Sequence, residues 1–181
     1  MHNRDTRLAK LDAPDSKFSC ILLATAGLLR LGLGHRITQR LDPTVFPYAV
    51  GQGALGLEVK RDREDILRLV RAASHKPSRW RGLAERAMLR SLQGGCSSPI
   101  GVWSSFEPNR AAGLSPERTE GLSCQGTLHL HATVLDLDGT DEISAEYLGP
   151  VSSDDEADKI GVTVANALIR KGASDLLSRQ G

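Results

Sequence analysis

Residues 127–135 read TLHLHATVL, and residues 142–148 read EISAEYL. Apolar and polar side chains alternate through both runs, which is the two-residue period of a strand with one buried face. Asp138-Gly139 lies between the runs and is a dipeptide typical of hairpin turns. The runs therefore predict an antiparallel hairpin. A further strand is predicted over residues 100–106, and the segment 107–126, rich in Pro, Ser, Gly and charge, is predicted to be a loop.

Two helices are predicted to flank these strands. The first follows from Pro77, which suits a first helical turn, to about Leu92, and Gly94-Gly95 would end it in left-handed geometry. Its predicted buried stripe is Trp80, Leu83, Ala84, Ala87, Met88 and Leu92.

The second helix is predicted to open at residues 153–156, SDDE, which fit the capping box. It would run to Lys171 and stop at Gly172. The side chains expected to face inward are Ile160, Val164 and Leu168.

A different pattern precedes these elements. Residues 18–24, FSCILLA, form an apolar run that predicts a strand buried on both faces, as in a parallel sheet, with Cys20 as a packed thiol. Residues 55–59 predict a second strand, and residues 64–73 a short amphipathic helix. The expected fold class is therefore α/β plus α+β, with a partial α/β region over 1–75 and an antiparallel-sheet domain with flanking helices over 76–181.

Charge is distributed unevenly along the 181 residues. Residues 1–95 hold 17 Lys/Arg and 9 Asp/Glu, a balance of +8, and residues 96–181 hold 6 and 13, a balance of −7. A basic half attracts anions, but the basic residues are not interleaved with aromatic ones and match no nucleic-acid motif. A small polycarboxylate is the better-supported partner class, and nucleic acid is not expected.

Membrane and secretory segments are not predicted. No apolar run approaches the roughly 20 residues that cross a bilayer, and residues 1–5 are polar. The three cysteines are widely separated and form no C-x-x-C pair, which favours free thiols in a reducing compartment. These features predict a cytoplasmic protein without a membrane partner.

Two motifs suggest ligands that their context does not support. GQGALG at residues 51–56 matches the dinucleotide pattern, but that pattern must follow a strand and open a helix, and here strand-like alternation follows. We interpret it as a glycine-rich turn that brings backbone close to some other ligand. His129 and His131 would share one strand face, but no third ligand is evident, so no metal site is predicted.

Cys96 lies in a context that favours function. It follows the first predicted helix directly, between Gly94-Gly95 and Ser97-Ser98-Pro99, in a loop where a thiol is accessible. Such a thiol could be an attachment point or a nucleophile.

These residues carry a family resemblance. GGCSSPIG at residues 94–101 resembles the sequence around the cofactor-bearing cysteine of porphobilinogen deaminases, also called hydroxymethylbilane synthases. The other matching blocks, in the family's order, are TRLAKLD (6–12), LATAGLLR (23–30), YAVGQGALGLEV (48–59) and AERAMLR (84–90). Their wording is more similar to eukaryotic members than to bacterial ones.

The resemblance implies an enzyme of three domains, two like periplasmic binding proteins and a small α+β domain that bears the cysteine. It implies the joining of four porphobilinogen units into hydroxymethylbilane, in tetrapyrrole (heme) synthesis, by a transferase that is a monomer at full length. The match begins inside the second domain, where Met1-His2-Asn3 stands in place of the family's Arg-Gly-Asn. The family's catalytic aspartate belongs to the first domain, so no catalytic residue is assigned here and the chain alone is expected to be inactive.

Site residues are also implied by the resemblance. Cys96 would hold a dipyrromethane cofactor through a thioether. Arg7 and Arg30 would bind cofactor and substrate carboxylates, for which the planar guanidinium is suited. The positions implied to line the pyrrole site are Leu23, Ala24, Gln52 and Gly53. An alternative stays open: a non-catalytic truncated paralogue or splice product that keeps a polycarboxylate- or partner-binding surface.

Overall fold

The structure is a computed structural model that describes residues 4–94, 98–109 and 125–178. Contacts divide the chain into a first unit, Met1–Leu41, and a second unit, Asp42–Gly181. The predicted domain boundary near Lys76 lies inside the second unit.

The first unit is built of short helices. These are α1 (Arg4–Asp12), α2 (Thr25–Arg30) and a 3-10 turn at Gly34–Arg36. Both guanidinium NH2 groups of Arg36 donate to the Asp12 carboxylate, at 2.6 and 3.1 Å, and so tie the end of α1 to the 3-10 turn. Among the described residues of this unit, Leu28 of α2 is the one whose apolar side chain is buried.

The predicted strand over residues 18–24 is wrong. The segment has no regular secondary structure, and the side chains of Phe18 and Leu22 are 56% and 58% exposed. Cys20, predicted to be packed, is exposed. A strand needs a neighbour for its backbone hydrogen bonds, and in the described residues the one sheet is formed elsewhere, by residues 100–151.

The second unit opens with an extended segment and two helices. The predicted strand at 55–59 is also wrong, because this segment pairs with no strand and Leu55 is 86% exposed. The two helices are confirmed, as α3 (Glu64–Ala72) and α4 (Lys76–Ser91), with Pro77 in the first turn of α4.

The predicted antiparallel sheet is confirmed. Its strands are β1 (Ile100–Pro108), β2 (Gly126–Leu135) and β3 (Glu142–Val151), in the order β1-β2-β3. Most of the predicted 107–126 loop, residues 110–124, lies outside the described residues. Gly139, between β2 and β3, has a φ of +71°, and the Asp136 carboxylate accepts the backbone N–H of Thr140 at 2.8 Å. The Asp136 side chain thus closes the hairpin loop by accepting backbone N–H groups from its far side.

One face of the sheet carries the core. Alternate residues of β2 are fully buried under α4, under α5 (Asp154–Arg170) and under α6 (Ala173–Ser178), a short helix that was not predicted. The predicted inward side chains of α5 and the stripe of α4 are confirmed, with Leu83 only partly buried. The apolar spacing therefore predicted the packing faces correctly.

The ends of these helices follow the sequence with two differences. α4 ends with Gln93, not a glycine, in the left-handed region (φ +55°), and the Gly94 N–H donates to the Leu89 carbonyl, as in a Schellman motif. Ser153 caps α5 by accepting the Glu156 N–H, while Glu156 reaches back to Ser152 rather than to the cap residue itself. The stop at Gly172 (φ +96°) is as predicted.

Candidate functional site

The loop that carries Cys96 joins α4 to β1. Cys96 and its neighbours Gly95 and Ser97 lie outside the described residues, as does Cys124. Gly94 borders the loop, and a Cβ there would stand 2.6 Å from the Ile100 side chain and 2.8 Å from that of Leu89. A larger residue at position 94 would therefore require the ends of the Ile100 and Leu89 side chains to move.

The glycine-rich motif forms a turn, which we call the 51–53 turn. Gly51 and Gly53 have φ values of +72° and +81°, a region that favours glycine. No helix opens after the turn in residues 54–63, so the geometry that a dinucleotide pyrophosphate needs is absent from this described segment. A Cβ at Gly51 or Gly53 would meet no atom within 4 Å. The backbone of the turn is therefore open to a ligand, and Gln52 and Gly53 are both exposed.

A buried carboxylate is hydrogen-bonded to the backbone of this turn. Glu85 of α4 is 7% exposed, and its Oε2 accepts the Gly51 N–H at 2.8 Å. Its Oε1 accepts the Ser104 hydroxyl of β1 at 2.5 Å. Arg81, one turn earlier on α4, donates its Nε–H to the same hydroxyl oxygen at 2.9 Å. We call this set of Glu85, Ser104 and Arg81 the Glu85 clamp.

A backbone bridge holds the chain just before the turn. Tyr48 and Val102 exchange both N–H···O bonds, each 2.8 Å long, so the segment adds a single bridge to the outer edge of β1. Gly101 makes this possible, because a Cβ there would stand 2.7 Å from the Pro47 Cβ. A cleft of about 70 Å³ lies between the turn, α4 and β1, and its lining includes Gln52, Arg81 and Trp103.

Four of the predicted site residues lie in the first unit, on or beside its helices. Arg7 is exposed on α1, and Arg30 is exposed in the last turn of α2. Ala24 is the exposed N-cap of α2, where its carbonyl accepts the N–H groups of Gly27 and Leu28, and Leu23 before it is half-buried. Gln52 and Gly53 belong to the second unit. Of the predicted site residues that the structure describes, four thus lie in the first unit and two in the second.

The predicted histidine pair does share one sheet face, opposite the core. His129 Nε2 lies 2.9 Å from Glu146 Oε2. The His129 and Trp103 rings are in edge contact, with their centroids 4.6 Å apart. His131 Nδ1 is buried without a hydrogen-bond partner. In residues 4–94, 98–109 and 125–178, no three His, Cys, Asp or Glu side chains converge as a metal site would require.

Sequence reasoning missed the Glu85 clamp. The signal for it was present, because Arg81 and Glu85 stand four residues apart on one helix face, and Glu85 interrupts a region of apolar and small side chains next to Ala84. Its hydrogen-bond partners come from residues 51 and 104, which sequence spacing does not bring together.

Two family models match the chain consecutively. One, described as "Porphobilinogen deaminase, dipyromethane cofactor binding domain", matches residues 2–68, and the other, "Porphobilinogen deaminase, C-terminal domain", matches residues 80–170. This chain belongs to the porphobilinogen deaminase family. The gap between the two matches spans the predicted boundary near Lys76, which stays a prediction.

Individual porphobilinogen deaminases are similar along nearly the whole chain. The protein from Debaryomyces hansenii is 43% identical over 97% of this chain and 45% of its own length. The Schizosaccharomyces pombe protein is 42% identical over 97% of this chain and 48% of its own, and that of Prochlorococcus marinus MIT 9303 is 40% identical over 96% and 48%. The chain spans about half the length of the curated relatives it matches.

Two further observations accompany the family match. A solved structure of a putative lipoprotein from Caulobacter crescentus CB15 overlays with a TM-score of only 0.27 at 14% identity, over 56% of this chain and 83% of that one, and carries no argument about the fold. None of the helices that the structure describes has the length and apolar character needed to span a bilayer.

Proposed function

We propose that this chain serves the porphobilinogen deaminase reaction, in which four porphobilinogen molecules are condensed with loss of one ammonia from each, and water then releases the linear product as hydroxymethylbilane. The observation that carries the proposal is the consecutive match of the family's cofactor-binding and C-terminal domain models to residues 2–68 and 80–170. The open 51–53 turn and the exposed Arg7 and Arg30 are compatible with it, because a pyrrole with carboxylate arms needs both close backbone approach and cations.

In this proposal Cys96 binds the dipyrromethane cofactor through a thioether. When bound, the cofactor supplies the free pyrrole carbon to which the first substrate unit is joined. The position of Cys96 between α4 and β1 suits a tether, because both flanking elements are anchored in the core of the second unit.

The chain's other residues would bind and orient. Arg7 and Arg30 would pair with acetate and propionate carboxylates of cofactor and substrate, each in a charge-assisted contact. Leu23 and Ala24 at the start of α2 would each contact a pyrrole ring of the ligand. Gln52 and Gly53 in the 51–53 turn are proposed for the same role. General acid/base transfer needs a carboxylate within hydrogen-bond reach of the pyrrole nitrogen, and by the family resemblance that aspartate belongs to the first domain, not to residues 1–181.

The proposal extends to the fold of residues 1–75. We propose that residues 1–75 form part of the α/β arrangement that the resemblance implies, and that the runs 18–24 and 55–59 are buried there against the rest of an assembled porphobilinogen deaminase. Their exposed large apolar side chains support this, since burying one stabilises a fold by about 1.5–3 kcal/mol. These side chains are Phe18, Leu22, Leu55 and Leu57.

The first test is the intact mass of the chain after expression in cells that make porphobilinogen. We expect a dipyrromethane adduct that Cys96→Ala abolishes, while the matched variants Cys20→Ala and Cys124→Ala retain it. An adduct mapped to a peptide containing Cys20 or Cys124 would show that the assignment of Cys96 is wrong. If no variant and no wild-type chain carries an adduct, the non-catalytic alternative gains support over the enzyme.

A further inference from the structure

The Glu85 clamp has a geometry that packing alone does not explain. A buried carboxylate is costly unless its oxygens are hydrogen-bonded, and Glu85 uses both of them, one on a backbone N–H and one on a hydroxyl. The neighbouring α4 positions that face the core are apolar, Ala84 and Met88 among them. The carboxylate is therefore explained by the groups that it holds, Gly51 and Ser104.

We propose that Glu85 is a positioning residue: it fixes the 51–53 turn so that Gln52 and Gly53 present one arrangement to a pyrrole ligand. This inference rests on the proposed function of Gln52 and Gly53. It adds a residue, Glu85, that touches no ligand and acts through the Gly51 backbone.

The physical reason is the freedom of the turn. Gly51 and Gly53 have no side chains to restrict their backbone, and glycine loses more conformational entropy on ordering than any other residue. The Tyr48–Val102 bridge and the packing of Val50 against the core hold the chain just before the turn. The Glu85–Gly51 bond holds the backbone of the turn itself.

The clamp also joins the turn to the support of the cofactor loop. Glu85 lies on α4 and Ser104 on β1, and these two elements border the loop that carries Cys96. The 51–53 turn is thus held against two elements that belong to the core of the second unit. Pre-organisation of this kind lowers the ordering cost of binding.

The test uses three substitutions in the 181-residue chain. Glu85→Leu keeps a similar side-chain volume but removes both acceptor oxygens. Glu85→Gln keeps one acceptor oxygen for Gly51 and offers an amide donor to Ser104. Glu85→Asp keeps the carboxylate but shortens the side chain by one methylene. Amide exchange at Gly51 and the dissociation constant for porphobilinogen are measured by NMR on the resonances of the turn. Thermal unfolding of each variant is recorded beside them.

We expect Glu85→Leu to raise the Gly51 exchange rate and the porphobilinogen dissociation constant each by about tenfold or more, as loss of a charged acceptor implies. Glu85→Gln should restore both values to within a few-fold of the wild type. That rescue separates positioning from general stability, since Gln and Leu fill similar volumes. If Glu85→Leu does not fold, Glu85→Asp carries the same expectation.

The outcomes separate the two proposals. Wild-type affinity in folded Glu85→Leu or Glu85→Asp overturns the positioning role and leaves the proposed function intact. Equal loss of affinity in Glu85→Gln and Glu85→Leu, with Gly51 exchange unchanged, also overturns it. If the wild-type chain itself does not bind porphobilinogen, the proposed function fails and this inference fails with it.

Discussion

At the scale of single residues, the close approach of α4 and α5 depends on Gly161. A Cβ at this position of α5 would overlap the Ala84 carbonyl oxygen and stand 2.8 Å from the Ala87 Cβ and 2.9 Å from the Met88 nitrogen. These atoms are mainly backbone of α4, which cannot move aside as a flexible side chain can. Gly161 therefore sets how closely the two helices approach.

We predict that Gly161→Ala lowers the free energy of unfolding by about 1–3 kcal/mol, because overpacking outweighs the gain in helix propensity. The matched control is Gly82→Ala on α4, where an added Cβ meets nothing within 4 Å. That change is expected to raise stability by up to about 1 kcal/mol. Urea unfolding measures both. Destabilisation of similar size in the two variants would show that the α4–α5 contact is not limiting.

The roles of individual residues were the hardest feature to predict from the sequence. Trp80 and Met88 could be placed in the core from helical spacing alone, and both are buried. Glu85 could not, since its meaning depends on partners far along the chain. Cys96 could be singled out from its loop, but its role came from the family resemblance.

At the scale of elements, local patterns predicted what local interactions determine. The helices α3, α4 and α5 have their apolar periodicity within their own sequence, α5 has its Ser153 cap next to it, and the β2–β3 hairpin has its turn residues between its strands. The runs 18–24 and 55–59 have strand-like composition, but whether such a run forms a strand depends on a neighbour, so composition alone gave a wrong prediction here.

The start of α5 shows how one element is anchored by charge. Asp154 accepts the Trp80 indole N–H at 3.0 Å and a bidentate pair of bonds from Arg79. The Arg79 guanidinium is the main reason that the pKa of Asp154 lies below its ordinary value. The hydrogen bond from Ser152 likewise lowers the pKa of Glu156 in the same turn. The first turn of α5 therefore holds two carboxylates that favour the ionised state.

We predict that Asp154→Ala lowers the free energy of unfolding by about 1–3 kcal/mol, chiefly because the indole N–H of the buried Trp80 loses its acceptor. The Arg79 pair is half exposed and adds little. Asp155→Ala is the control, since Asp155 is exposed and shares the same helix terminus and its dipole. Thermal unfolding that is equal in the two variants would contradict the role of Asp154.

The same carboxylates set a pH dependence. Because their folded pKa values lie below the ordinary 3.8 of Asp and 4.5 of Glu, their contribution to stability is present above those values and is lost as pH falls through the folded pKa. We expect the wild-type chain to lose stability below about pH 4.5, with a shallower loss in Asp154→Asn. The measurement is the unfolding midpoint as a function of pH between about 7 and about 3, because Asp and Glu side chains titrate within this range.

At the scale of the whole molecule, burial is concentrated in one part of the chain. The contiguous apolar core extends from Trp80 to Leu176. Among the described residues before it, Gly27 and Leu28 of α2 are the buried positions. Apolar burial is the main favourable term in folding. The residues before Trp80 are therefore expected to be less stable than residues 80–176, although both stretches contain helices.

We predict that amide hydrogen exchange is slower in the core residues 80–176 than in the residues before them. Amides of α4, β2 and α5 should exchange only through global unfolding, since they belong to the packed core, while those of α1 and α2 should exchange through local opening at rates at least about tenfold faster. Helices of this length are marginal in water without packing, because nucleation is costly.

The control is supplied by α3, a helix of the second unit without buried residues. If helix content alone protected amides, α3 would exchange as slowly as α4; if burial is decisive, it should exchange like α1. Mass-spectrometric exchange of the 181-residue chain distinguishes the two. Equal protection before and after Lys76 would mean that residues 1–75 hold a core of their own, and the proposal that their apolar runs are buried only in an assembled protein would then be wrong.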